Sequence, residues 1–105
     1  MPQSPPEPND CRSMEEVRAG VDALDAQLVE LLAKRFGYMR AAARLKPERS
    51  QVRDEVRKAA VIAAVRAKAE TLGIPGHIAA ELWERLVEAS IAYEFDRWDE
   101  AREGD

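Results

Sequence analysis

Arg35 and Lys46 are the residues of this chain best spaced to hold a small anion. Apolar residues recur at Val17, Val21, Leu24, Leu28 and Leu31, by turns four and three apart, which is the stripe of an amphipathic helix. Continued, the alternation lands on Arg35, then Tyr38, Ala42 and Leu45. An arginine on an apolar stripe must meet an anion or snorkel to water. Lys46 follows eleven residues after Arg35, close to three turns, so both side chains leave one face, roughly 16 Å apart along the axis. Two long cationic side chains at that spacing can lean together over a small dianion. The alternative is ordinary solvation of two surface bases.

Arg18 lies seventeen residues before Arg35, about 25 Å away and on another face of a straight helix. If both serve one small ligand, Arg18 must come from a second copy of the chain. Otherwise it forms an exposed i,i+4 ion pair with Asp22, worth a few tenths of a kcal/mol. A second misfit sits near the C-terminus, where Trp83, Val87, Ser90, Ile91, Glu94 and Trp98 share one helical face. Glu94 is thus a carboxyl among apolar neighbours, an environment that favours the protonated, hydrogen-bond-donating form. Its alternatives are a helix rotated to bring it to solvent, or a buried ion pair with a core arginine.

Other chemistries are poorly supplied. His77 is the single histidine and Cys11 the single cysteine, which supplies Ser-His-Asp machinery and a histidine-ligated metal centre poorly and leaves no internal disulfide. The net charge is −4, with sixteen Lys and Arg against twenty acids, an unfavourable balance for general nucleic-acid binding. No uncharged run is long enough to span a membrane. The opening MPQSPPEPND has neither the basic nor the apolar region of a secretory signal. The expectation is a cytoplasmic chain.

The elements that must position these groups are helical. The chain has 105 residues, 46% hydrophobic and 34% charged, the composition of one globular domain. Residues 1–12 hold four of the six prolines and read as a disordered arm, leaving 13–105 as the folded domain. Ser13-Met14-Glu15-Glu16 matches a capping box, and no proline interrupts until Pro47, so a first helix is predicted over 14–45. A loop from Lys46 to Ser50 leads to an alanine-rich helix over 52–72, stopped by Gly73. After the turn Gly73-Ile74-Pro75-Gly76 a third helix runs over 77–102. No stretch alternates as a strand does, so the class is all-α. A first helix of about 48 Å overhangs a globule of roughly 35 Å diameter. Pairing of two copies around a shared core resolves the mismatch, the alternative being a monomer kinked near Gly37.

Seam cations on a long first helix, a short basic loop, a second helix opening VRDEVRK and a third containing SIAYE resemble the all-helical chorismate mutases and the closely related isochorismate-pyruvate lyases. The likeness covers about residues 10–100 and is sharpest in VRAGVDALDAQLVELLAKR (Val17 to Arg35), AARLK (Ala42 to Lys46) and VRDEVRK (Val52 to Lys58). It implies an intertwined homodimer with two identical sites, each taking one arginine from the partner subunit. That arginine falls on Arg18. The first-helix cations that clamp the substrate carboxylates and the bridging ether oxygen fall on Arg35 and Lys46, and the second-helix arginine on Arg57. Asp54 matches an acid at the loop-to-helix junction near the ring hydroxyl. Ser90 matches a third-helix hydroxyl near a carboxylate, and Glu94 the position facing the ether oxygen.

The implied reaction is the pericyclic rearrangement of chorismate to prephenate, in aromatic amino-acid biosynthesis. It needs no nucleophile, metal or cofactor, only a substrate dicarboxylate held in shape and donors aimed at charge developing on the ether oxygen. Lys46 and protonated Glu94 would be those donors, with Arg18, Arg35 and Arg57 on the carboxylates. The runner-up is the lyase reaction, giving salicylate and pyruvate from isochorismate. The lyases share an Asp-Cys pair before the first helix, as in Asp10-Cys11, and lack the glutamate usual in mutases at the position of Lys58. A rival of another class is a non-catalytic helical dimerisation module, which explains the seam but gives Arg35 and Glu94 no reason to face inward.

Overall fold

The computed structural model describes residues 4–103. Three α-helices carry them: α1 over Met14–Leu45, α2 over Glu55–Thr71 and α3 over Gly76–Arg102. Short 3-10 helices lie at Pro8–Asp10 and Arg49–Gln51, and no strand occurs among the described residues. The all-α expectation holds. None of these helices is long and apolar enough to cross a membrane.

The chain divides into two compact units, the first ending at Phe36 and the second starting at Gly37. In the first, Ser13 caps α1 much as the motif predicts. Its hydroxyl accepts from the Glu16 N–H at 3.1 Å, while the Glu16 carboxylate reaches the Arg12 N–H at 2.8 Å, one residue further back than a standard capping box. Within the arm expected to be disordered, Pro8–Asp10 forms its 3-10 turn. Pro5, Pro6 and Cys11 face Val17, Val21 and Leu24 across a cavity of about 390 Å³. The seam itself stays open within the chain: Val21, Leu24, Leu28 and Leu31 are 50%, 57%, 53% and 64% exposed.

The second unit contains the core. Val52, Val87 and Ile91 are buried, with Val61, Trp83, Phe95 and Trp98 packed around them. Burying Val52 explains why α2 starts later than the expected residue 52. The side chain of Val52 is used as a core plug at the end of the 3-10 turn. Asp54 then takes the N-cap, its carboxylate accepting from the Arg57 N–H at 2.9 Å, a partner for one of the four free amides that open a helix. At the other end Gly73 adopts φ +83°, a conformation that costs a residue with a Cβ about 1 kcal/mol or more. That reversal sends the chain into α3, which packs along α2.

Candidate active site

Within the second unit, Lys46 and Glu94 come together. Lys46 is the first residue past α1, and its N–H still donates to the Ala42 carbonyl at 2.9 Å, so the helix geometry continues up to Pro47. Its ammonium donates to Glu94 Oε2 at 2.7 Å. The two side chains are unequally placed, 30% exposed for Lys46 and 5% for Glu94. Glu94 is therefore an ion-paired carboxyl on the packed face of α3. The sequence alternative of a buried pair is realised with a lysine as the partner in place of an arginine. Ser90, one turn earlier, is also buried, and its hydroxyl donates to the Leu86 carbonyl at 2.7 Å.

Lys46 also borders an open cavity of about 670 Å³, whose other walls include Leu45, Pro47, Arg53, Asp54 and Val56. That volume lies in the range of small-molecule sites. Apolar walls from Leu45 and Val56 flank a cation and the start of α2, where the positive end of a helix dipole favours an anion. Asp54 lines the cavity while its Oδ1 is committed to the helix cap. Arg57, in the first turn of α2, is exposed and does not line the cavity. Arg18 and Arg35 belong to the first unit. Arg18 is exposed there, whereas Arg35 is half-buried and burial pushes its guanidinium down from the ordinary arginine value.

Lys58 has its own use. Its ammonium donates to Glu84 and Glu88, each at 2.8 Å. Glu88 also accepts two bonds from Arg53, at 3.0 and 2.8 Å, and Arg53 bonds Glu55 at 2.8 Å. The cluster ties the start of α2 to α3. It raises Lys58, chiefly through Glu84, and raises Arg53, chiefly through Glu88. Hydrogen bonds from Arg53 first and Lys58 second push the Glu88 carboxyl down to about 2.

Two further residues escape a reading by residue type. Trp98 looks like one more apolar member of the α3 face, yet its indole N–H donates to the Lys46 carbonyl at 3.0 Å. The only signal was spacing, since Trp98 lies one turn beyond Glu94. Arg49 stacks over the Phe95 ring at 4.5 Å and pairs with Asp99 at 2.8 Å, pinning the loop after Lys46 onto α3. Nothing in the sequence distinguishes it from a solvated surface base.

The family model for chorismate mutase type II matches residues 17–95. Isochorismate pyruvate lyase of Pseudomonas aeruginosa is 26% identical over 95 residues, covering 90% of this chain and 94% of that protein.

Proposed function

Because the chain belongs to the chorismate mutase type II family, we propose that it is an enzyme that rearranges chorismate to prephenate. The observation that carries the reading is the Lys46–Glu94 contact at 2.7 Å on the border of an open cavity. In the rearrangement a C–O bond breaks as a C–C bond forms, and negative charge grows on the ether oxygen. A fixed ammonium aimed at that oxygen lowers the barrier because it needs no reorganisation when the charge appears. Glu94 holds the ammonium in place. The family resemblance gives Arg35 and Arg57 to the two carboxylates, Arg18 to the second protomer of a homodimer, and Asp54 and Ser90 to the remaining contacts; of these five, Asp54 lines the cavity beside Lys46. The open apolar face of α1, with Leu24, Leu28 and Leu31 all more than half exposed, is what a partner subunit would cover.

A second reading is favoured by two observations. The Pseudomonas aeruginosa relative is a lyase, and Lys58, where mutases usually carry a glutamate, is tied to Glu84 and Glu88. In that reaction isochorismate loses its enolpyruvyl arm as pyruvate, with a ring hydrogen passing to the methylene as the same C–O bond breaks. The same cations serve either substrate. Offering purified protein chorismate and isochorismate separately decides between them: prephenate identifies the mutase, and salicylate with pyruvate the lyase. Turnover of neither, with no rise in melting temperature on adding either dicarboxylate, identifies a non-catalytic helical module.

A further inference from the structure

We propose that Arg102, a residue that does not line the cavity, is a positioning residue that fixes the backbone from which the Lys46 ammonium is aimed. The inference rests on the reading of Lys46 as the catalytic cation. Ser90, Glu94, Trp98 and Arg102 are spaced by four along α3 and form a column on one face of the helix. Three of the four act on Lys46. Glu94 takes its ammonium at 2.7 Å, while Trp98 Nε1 and Arg102 Nη2 both donate to its carbonyl, at 3.0 and 2.7 Å. Arg102 Nη1 reaches the Ala43 carbonyl at 3.0 Å and the Trp98 carbonyl at 3.3 Å. Its guanidinium lies over the Trp98 ring at 4.0 Å.

The need for such an anchor follows from the local sequence. The last carbonyls of a helix have no partner within it, and a glycine turn usually supplies one. Here Pro47 follows Lys46 directly and brings no N–H. The end of α1 is instead closed from outside by a planar fork that can serve two carbonyls at once. The fork also sets a cation against the negative ends of two helices, α1 and its own α3. With its N–H bonded to Ala42 and its carbonyl bonded twice, Lys46 has a fixed main chain. Only its flexible stem remains free, and Glu94 holds the far end of that stem. A lysine without this anchor would keep its charge but lose its aim, and misplacement of about 1 Å can cost about a hundredfold in rate.

Three variants test the proposal: Arg102→Ala, Arg102→Lys and, as the control, Lys46→Ala. On whichever of chorismate and isochorismate the wild type turns over, Arg102→Ala should lose kcat by about tenfold or more while KM moves less than about threefold. Millimolar guanidinium ion should restore a large part of that kcat, with no benefit to wild type or to Lys46→Ala. Arg102→Lys keeps the charge but loses the rigid fork whose two nitrogens serve the Ala43 and Lys46 carbonyls separately, so its kcat should fall with the melting temperature nearly unchanged. That variant decides the matter if Arg102→Ala does not fold. A folded Arg102→Ala with kcat within about twofold of wild type overturns the proposal. So does guanidinium that restores the melting temperature and leaves kcat low, which is the mark of a purely structural residue. A readout independent of turnover separates this failure from failure of the functional reading. If wild type acts on neither substrate, the functional reading fails. The anchor is then judged by solvent exchange of the Trp98 indole N–H, assigned through Trp98→Phe: faster exchange in Arg102→Ala supports it, and an unchanged rate overturns it.

Discussion

Glu94 and Lys46, separated by 48 positions in sequence, meet at 2.7 Å with the carboxyl six-fold less exposed than the ammonium, 5% against 30%. The acid belongs to the packed face of α3 and the base to the cavity border. The carboxyl thus holds the ammonium from the protein side and leaves the base at the cavity.

Glu94→Gln keeps the shape and brings an amide that can donate, whereas a carboxylate paired with Lys46 can only accept. If this side chain faces the ether oxygen, Glu94→Gln should match or exceed wild-type kcat, while Glu94→Ala should lose kcat by about tenfold or more. The measurement is steady-state kcat and KM for the three proteins. A glutamine variant as impaired as the alanine one removes Glu94 from the ether-facing role.

Lys46→Ala should cost kcat about 10²- to 10³-fold, about 3–4 kcal/mol, the usual loss on deleting a donor that acts on developing negative charge. Arg35→Ala should raise KM and lower kcat together, because carboxylate binding contributes before and during the reaction. Steady-state kinetics on the two variants separates these patterns. Near-wild-type kcat/KM in either places the site elsewhere.

Arg18 and Arg35 should complement one another across subunits. Neither the Arg18→Ala nor the Arg35→Ala homodimer should turn over well. Mixed and reannealed, the two yield heterodimers with one site holding both arginines and one holding neither. Activity should reappear in proportion to heterodimer, quantified by mass spectrometry under native conditions. Verified heterodimers without activity rule out an arginine shared across the interface.

The charge cluster between α2 and α3 makes a stability prediction. Arg53 first and Lys58 second hold the Glu88 carboxyl at about 2, below its ordinary value of 4.5. A carboxyl depressed on folding contributes stability above its ordinary value and loses it as pH falls toward the folded value. Between about pH 4.5 and pH 2 wild type should therefore lose thermal stability more steeply than Glu88→Gln, which has no proton to take up. Parallel acid profiles of melting temperature would show that the cluster does not stabilise the fold, as exposed ion pairs often do not.

The helices were legible because their signals are local. Ser13 and Glu16 announce the start of α1, Pro47 its end, and Gly73 the end of α2, each through its own backbone chemistry. Val52 was misplaced for the opposite reason. Its burial depends on α3, and periodicity alone could not tell a helix start from a core plug three residues before Glu55. Periodicity likewise marks which face of α1 is apolar without saying what covers it: Leu28 and Leu31 read as core yet stand open in the chain.

In the site, Glu94 was legible as a charge breaking an apolar pattern and Lys46 only through its spacing of eleven from Arg35, and the fold brings Lys46 and Glu94 into contact. Trp98 was hidden because its contribution is a single N–H on a ring that already fits the core, and Arg102 because it binds carbonyls, which every residue has. Lys58 stood out as a departure from the family pattern, but its partners Glu84 and Glu88 are 26 and 30 positions away and carry no motif.

Arg102 is the final residue of α3, and a helix frays from its ends inward, so the last turn opens at a far smaller free energy than the interior. Main-chain control of Lys46 is thus lodged in a terminal turn, outside the core that Val52, Val87 and Ile91 keep closed. Warming would then silence turnover several degrees before it unfolds the protein, and cooling would restore it without any refolding. The terminal turn of α3 would act as the thermal fuse of the enzyme.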